Sequence, residues 1–522
     1  MKMKRFKVVV SFLLIMAMTL TMLAGCGKKS NESDKSTDAA VSTDAKADTK
    51  ADAAASTKKD ADKGEKAPVN LTAVFPGQES KAAESVLKAI NEKLKADGLN
   101  VNVSIKYIDD YWNKLALDIA GGAEYDIAWA HSSTLSDLVS KKVYQPIDDA
   151  LKAYGADLLA NTPEHVLKGG SVGGKQYALP RSIPMTAFNN VFNIRGDLRE
   201  KYGIPEIKTI EDLEAYFAAI KENEPDMYPI MDTNWQPLFP VYADYFFPIG
   251  DGGINPIYID PTDETYTVKS FWDSEAFTQI TTKRKEWKEK GWLNSDTSKV
   301  ENGDVGFDYG KVACVAANIM RASERIDTIT ANVPGAVVET VLLEPKTRHI
   351  YLAGDNMLAV PSTSKHVNEA VALINWIKKS QENYDLWSYG VEGENYKLVD
   401  GAVDISDIPK EKVYTTNVWM WNDINLARFS SKYPKEDIEK LKTWDSKSVV
   451  TPFVGFTLDQ SKIKAQVSQV TAVMNEYSLN LAIGVTDINE VRDEIMKKMN
   501  AAGLQDIIEE TQKQINAYIA AK

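Results

Sequence analysis

The sequence predicts an α/β protein built as two lobes and ending in helices. Strand-like and helix-like runs alternate from Val69 to Trp129, the signature of βαβ units and a largely parallel sheet. The chain after residue 67 is roughly 455 residues long, more than one hydrophobic core comfortably serves. The last 60 or so residues keep helical spacing of their apolar positions.

Val69 to Phe75 is β-rich and stops at Pro76-Gly77. Ala82, Val86, Ala89, Ile90 and Leu94 share one helical face, closed by Gly98. Val101 to Tyr107 alternates with period two, a helix follows over 111–120 up to Gly121-Gly122, and Tyr125 to Trp129 reads as a buried strand. In such sheets a ligand lies beyond the carboxyl ends of the strands. Thr186 to Ile194 is β-prone. Thr209-Ile-Glu-Asp212 resembles a capping box ahead of Leu213, Phe217 and Ile220. The stretch 225–261 is rich in Pro, Gly, Trp and Tyr and reads as surface loops. Val337 to Leu343 and Tyr351 to Val360 read as strands, and His366 to Ser380 as a helix burying Val367, Val371, Ile374 and Ile377. Ile463, Val467, Val470, Met474 and Tyr477 begin the helical C-terminus. Asp487 caps a second helix there, and Gly503 suits its stop.

The N-terminus is of another kind. Lys2, Lys4, Arg5 and Lys7 precede an apolar run from Val8 to Met22, then Leu23-Ala24-Gly25-Cys26. Basic, apolar and small-residue regions in that order define a secretory signal peptide over 1–25. The run is too short for a membrane span, which wants about 20 residues. Leu-Ala-Gly-Cys resembles the bacterial lipobox, which implies a lipid on Cys26. Residues 26–67 are mostly Lys, Asp, Ala, Ser and Thr. They bury too little to offset the entropy of ordering and read as a flexible tether of roughly 35 Å r.m.s. span.

The net charge of −13 argues against a nucleic-acid role. With Cys26 assigned to lipid, Cys314 stands alone as a buried thiol in an apolar run. His131, His165, His349 and His366 show no metal-ligand spacing, and neither a metal nor a cofactor is expected. There is no G-x-S-x-G elbow, H-E-x-x-H or P-loop. With 74 Asp plus Glu, adjacent acidic pairs such as Asp109-Asp110 say little about glycosidase geometry. Asp260-Pro-Thr-Asp263-Glu264 lacks the calcium-loop pattern and reads as a solvated loop.

Tryptophans carry more information. Trp129, Trp235, Trp272, Trp419 and Trp421 fall in or beside loop-like segments, whereas Trp376 sits on a helix with a buried face. Sugars offer flat C–H faces and hydroxyl rims, which aromatic rings flanked by polar groups match.

Tyr125-Asp-Ile-Ala-Trp-Ala-His131, Leu138 to Ile147, Gly174-Lys-Gln-Tyr-Ala-Leu-Pro180, Gly310 to Asn318 and Ala359 to Ala370 resemble, in order and spacing, segments of maltose-binding-type extracellular solute-binding proteins (family 1). The resemblance covers essentially 68–522. Arg195 to Ile204, Lys208 to Glu214, Lys221 to Pro225, Tyr389 to Tyr396 and Gly455 to Asp459 resemble one subgroup, lipoproteins of oligosaccharide ABC importers with a C-terminal domain of unknown function. It implies the type II periplasmic-binding-protein-like fold: two α/β lobes, each a mostly parallel sheet flanked by helices, a hinge of crossing segments and a helical C-terminus. The expected division is 68–185 with 314–365 for the N-terminal lobe, and 186–313 with 366–522 for the C-terminal lobe.

The function so implied is that of a non-enzymatic, lipid-anchored receptor on the outer face of the cell membrane. It captures a carbohydrate, an oligosaccharide by this reading, in the interlobe cleft and delivers it to an ABC permease. It acts as a monomer and binds no nucleic acid. Trp129 is expected to stack on a sugar ring, beside His131, Ser132 and Ser133; family members have an Asp where this chain has Ser132. The remaining candidates are Gln78, Glu79, Arg181, Trp235, Asn318, Arg321, Asp355, Asn356, Trp419, Trp421 and Phe456, the last three expected from the C-terminal lobe. The competing readings are a secreted glycoside hydrolase, which would need converging carboxylates, and a peptide-binding lipoprotein receptor.

Overall fold

The computed structural model describes residues 67–242, 245–249, 255–296, 303–343, 348–351 and 354–522. The expectations for the signal peptide, Cys26 and the tether up to residue 66 lie outside the described residues.

Eight strands carry the two main sheets: β1 (Val69–Pro76), β2 (Val101–Ile108), β3 (Ile127–His131), β4 (Ala178–Pro180), β5 (Val191–Arg195), β6 (Cys314–Ala317), β7 (Val338–Val341) and β8 (Asn356–Ala359). The helices that matter below are α1 (Ala83–Ala96), α2 (Tyr111–Ala120), α3 (Ser132–Ser140), α4 (Ile210–Asn223), α5 (Glu275–Glu289), α6 (Arg321–Asn332), α7 (Val367–Lys379), α8 (Gln381–Tyr389), α9 (Lys464–Ala482), α10 (Ile488–Ala501) and α11 (Leu504–Ala520).

The first sheet has the order β2-β1-β3-β8-β4. β1 pairs in parallel with β2 and β3, as the alternation of strand and helix demands. β8 returns from the distant chain and runs antiparallel to both β3 and β4. Helices α1 and α2 bury the stripes Val86, Ile90, Leu94 and Tyr111, Leu115, Ile119 against it. The second sheet is β6-β5-β7, antiparallel throughout. Parallel pairing between the main strands is thus confined, among the described residues, to β2-β1-β3.

Caps fall where the sequence placed them. Thr209 and Asp212 form a reciprocal capping box at α4. Asp487 accepts from the backbone N–H of Asn489 at the start of α10. Gly503 takes the left-handed conformation, φ 95°, between α10 and α11. Thr186 to Asn190 forms turns, and only Val191 onward is strand.

Among the described residues the chain passes between the cores three times: after Leu179, between Ile350 and Met357, and after Trp421. Two crossings lie side by side. Ser182 N–H donates to Asn422 O (2.9 Å) and Ile424 N–H to Ser182 O (2.7 Å).

These cores divide the chain differently from the expected boundaries. Residues 314–343 belong to the second core because β6 and β7 flank β5. Helices α7 and α8 and the segment through Trp421 belong to the first, where Val371, Ile374, Trp387 and Trp421 are buried. The run Gly310 to Asn318, which holds the expected boundary at residue 314, instead carries β6, an edge strand of the second sheet. An apolar stripe records that a segment is buried, not which core receives it.

The C-terminal helices are fastened to the second lobe. Arg284 of α5 is fully buried and donates to Asp232 Oδ1 (3.0 Å), to the Asn234 carbonyl (3.1 Å) and to the Ala482 carbonyl at the end of α9. Asp232 Oδ2 in turn accepts from Ala316 N–H of β6 (3.0 Å). With the Asp232 carbonyl (2.8 Å) as well, four oxygen acceptors satisfy a guanidinium that would be costly to bury alone.

Candidate functional site

β1 and β3 are parallel, so their carboxyl ends open on one edge of the first sheet. β8 is antiparallel with Asn356 opposite His131, and Met357 sits opposite Pro180. The amino end of β8 and residue Arg181 therefore reach the same edge. Five of the expected residues, Trp129, His131, Arg181, Asp355 and Asn356, are brought together by this register alone.

Arg181 and Asp355 form the floor. Arg181 Nε donates to Asp355 Oδ1 (2.7 Å) and Nη2 to Oδ2 (2.6 Å), a planar bidentate pair. Arg181 Nη1 donates to the Trp419 carbonyl (3.0 Å). Asp355 also accepts from the backbone N–H (2.7 Å) and side-chain amide (2.9 Å) of Asn356. Burial pushes the Asp355 carboxyl up, but the Arg181 charge and these hydrogen bonds outweigh it and hold the group below its ordinary value.

Trp129 stands on this floor with its Nε1–H donating to Asn356 Oδ1 (2.9 Å). Its carbonyl accepts from the hydroxyls of Tyr111 (2.8 Å) and Tyr144 (3.1 Å). Four rings pack on it: Tyr111 at 5.4 Å, Trp112 edge-on at 4.6 Å, Trp419 edge-on at 5.2 Å and His131 at 6.1 Å. The side chain is 5% exposed. Trp129 is a hub behind the surface, and the expected stacking platform is not its own face.

The exposed ring is Trp112, at 54%, on the first turn of α2. It packs edge-on to both Trp129 and His131 (5.8 Å). Trp419 is half-buried and packs on the same Trp129 ring. Trp112 was not among the sequence candidates. The signal was available: Tyr111, Leu115 and Ile119 mark the buried stripe of α2, and residue 112 falls off it.

His131 ends β3 and caps α3, its Nδ1 accepting from Ser133 N–H (3.2 Å) and lying 2.7 Å from Ser133 Oγ. Ser132 N–H donates to the Asp355 carbonyl (2.8 Å). Gln78 and Glu79 are exposed on the turn that leaves β1. Gly77 makes this turn at φ 108°, with Asn417 Nδ2 donating to the Pro76 carbonyl (2.7 Å). Asn417 was also missed, for no local pattern ties it to a turn 340 residues earlier.

The second-lobe candidates scatter. Asn318 follows β6 and accepts from Met320 N–H (2.9 Å), and Arg321 opens α6 with its guanidinium 3.7 Å from Glu324 and 3.9 Å from Asp304. Both are half-buried. Trp235 is not a site residue in this structure: it is 2% exposed, packed on Phe277 (5.3 Å) and Trp272 (6.3 Å) within the second core. Trp421 is likewise core, between Phe75 (5.6 Å) and Trp387 (5.9 Å), with Nε1–H donating to Ser388 Oγ (3.0 Å). Trp419 and Trp421 belong to the first lobe, not the second as expected. Phe456 packs on Phe246 (6.2 Å) and Tyr518 (5.3 Å) against the second core.

Cys314 is buried, and burial pushes its thiol up, away from reactivity. Among the described residues no group of His, Cys, Asp and Glu side chains could hold a metal ion. No described helix is long and apolar enough to cross a membrane.

A parallel-stranded edge that gathers aromatic rings over a fixed ion pair, beside a three-crossing hinge between two lobes, defines a receptor for a solute. The profile of bacterial extracellular solute-binding proteins matches residues 77–384, and that of a domain of unknown function (DUF3502) matches residues 452–520. The chain belongs to the bacterial extracellular solute-binding protein family. A carbohydrate ABC transporter substrate-binding protein of Streptococcus pneumoniae serotype 4 is 23% identical over 476 residues, 89% of this chain and 94% of that protein. The crystal structure of an N-glycan transport solute-binding protein from Streptococcus pneumoniae superposes with TM-score 0.73 at 19% identity, covering 87% of this chain and 99% of the other. The alginate-binding protein AlgQ2 superposes with TM-score 0.59 at 16% identity, over 87% of this chain and 99% of the other. The fold is therefore that of the type II solute-binding proteins, and these relatives are binding proteins, not enzymes.

Proposed function

We propose that this chain captures a neutral oligosaccharide at the aromatic edge of its first lobe and closes the second lobe over it. The observation that carries this is the pairing of indole surface, exposed on Trp112 and half-buried on Trp419, with a floor whose charges are already matched. Indole faces suit the C–H faces of pyranose rings. Arg181 directs all three of its nitrogens to Asp355 and the Trp419 carbonyl, so the floor offers no spare cation to an acidic sugar. The carbohydrate and N-glycan relatives support a carbohydrate as the ligand.

Closure follows from differential affinity. A ligand touching both lobes stabilises the closed arrangement by the contacts it gains there, with no bond made or broken. Asn318 and Arg321 are the residues of the second lobe proposed to meet it, with Gln78, Glu79, His131 and Ser132 on the first. The Leu23-Ala-Gly-Cys26 sequence supports a lipid on Cys26, which tethers the protein to the outer face of the membrane beside the ABC permease it feeds. The receptor works as a monomer.

A glycan array followed by calorimetry on the hits tests the reading. A bound oligosaccharide at 100 times its dissociation constant adds about 2.7 kcal/mol to stability, and scattering records a smaller radius with ligand. An array without a neutral glycan hit, or binding without compaction or stabilisation, overturns it.

A further inference from the structure

Beneath Trp112 lies a small cavity lined in part by Trp112 and His131, two of the residues proposed to meet the ligand. It has room for about one water-sized group and is partly open to solvent. Trp112 and Ala116 stand one turn apart on α2 and so share a face. A small side chain under a large ring leaves the gap. Leu115 and Leu138 wall it from α2 and α3, and His131 and Thr134 supply polar lining.

That room just reaches what one water molecule needs, and a methyl group is the apolar group nearest that size. A resident water needs two to four polar partners, and here the lining is mostly apolar and its hydroxyl protons are already donated. The Tyr111 and Tyr144 hydroxyls donate to the Trp129 carbonyl, Thr134 Oγ1 donates to the His131 carbonyl (3.3 Å), and His131 Nδ1 meets Ser133. A methyl group loses nothing by entering and covers apolar surface.

We infer that Trp112 and this niche form a subsite for a sugar ring carrying one methyl-terminated substituent, an acetamido group or the 6-methyl of a deoxy sugar. The inference rests on the carbohydrate reading and narrows it. Ala116 and Thr134 set the specificity, since their small side chains keep the niche open.

The test uses the full chain on a glycan array containing pairs that differ only in acetamido against hydroxyl, as N,N′-diacetylchitobiose against cellobiose, or in 6-methyl against hydroxymethyl, as L-rhamnose against L-mannose. Burying one methyl group favours the methyl-bearing partner by about fourfold. Ala116→Leu and Thr134→Ile each fill the niche from a partly exposed helix position and are expected to abolish that preference, the ratio of the paired affinities and not either affinity alone being the readout. The two pair types separate acetamido from deoxy sugars. Equal binding of all pairs by the unaltered chain, or a preference that survives in the folded variants, overturns this inference and leaves the carbohydrate reading standing. Absence of any neutral glycan hit overturns both.

Discussion

Replacing Trp129 by alanine is expected to cost the fold more than it costs the ligand. The indole is almost fully enclosed by Tyr111, Trp112 and Trp419. Deleting such a side chain removes its transfer energy and leaves a cavity, about 3–5 kcal/mol together. The loss of the Nε1–H donor also strands Asn356 Oδ1, adding about 1 kcal/mol. Trp129→Phe keeps an aromatic ring at the centre of the cluster and forfeits chiefly that hydrogen bond, so its cost is about 1–2 kcal/mol. Denaturant unfolding of the ligand-free variants measures these differences, and calorimetry on an array hit measures affinity at a temperature where each is folded. Trp129→Phe is expected to bind within about threefold of the unaltered chain, because its loss lies behind the exposed surface. A Trp129→Ala variant within 1 kcal/mol of the parent in stability, yet without affinity, would refute the argument and restore Trp129 as the stacking face.

Trp112→Ala should do the opposite: about 0.5 kcal/mol or less in stability, because the ring is more than half exposed, and a two- to tenfold weaker sugar affinity by calorimetry. Asp355→Asn leaves the buried Arg181 guanidinium without its counter-charge and is expected to lower stability by about 3–5 kcal/mol; an Arg181→Met, Asp355→Asn double variant that is no more stable than Asp355→Asn would contradict this. The same carboxyl titrates below its ordinary value in the folded protein, so its contribution is complete above the unfolded value near 3.9 and is lost as the pH falls through the folded one. Stability measured against pH should thus show this pair as flat from pH 5 to 8, with a weaker acid limb in Asp355→Asn. Cys26→Ala should release the protein to the medium or leave uncut precursor in membrane fractionation; normal processing with full membrane retention would exclude the lipid.

Local pattern determined a great deal in this protein. The period-two and helical stripes placed β1, α1, β2, α2 and α7 within a residue or two, and the capping box at Thr209 and the stop at Gly503 were visible because caps depend on neighbours in sequence. Short motifs also marked the Trp129–His131 edge, since strand ends in parallel sheets are where ligands sit. What the tertiary structure alone decided was partnership. The sequence shows that Trp421 and Trp235 sit near turns, but only packing against Phe75 and Phe277 makes them core. It shows an apolar stripe on α7, but not that the first lobe receives it. Asp355 and Arg181 stand 174 residues apart and meet through the antiparallel return of β8. Burial energy is non-directional, so an apolar or charged side chain records that it needs a partner without recording which one; long-range register, set by all the strands at once, supplies that answer and turns Trp112, not Trp129, toward the solvent.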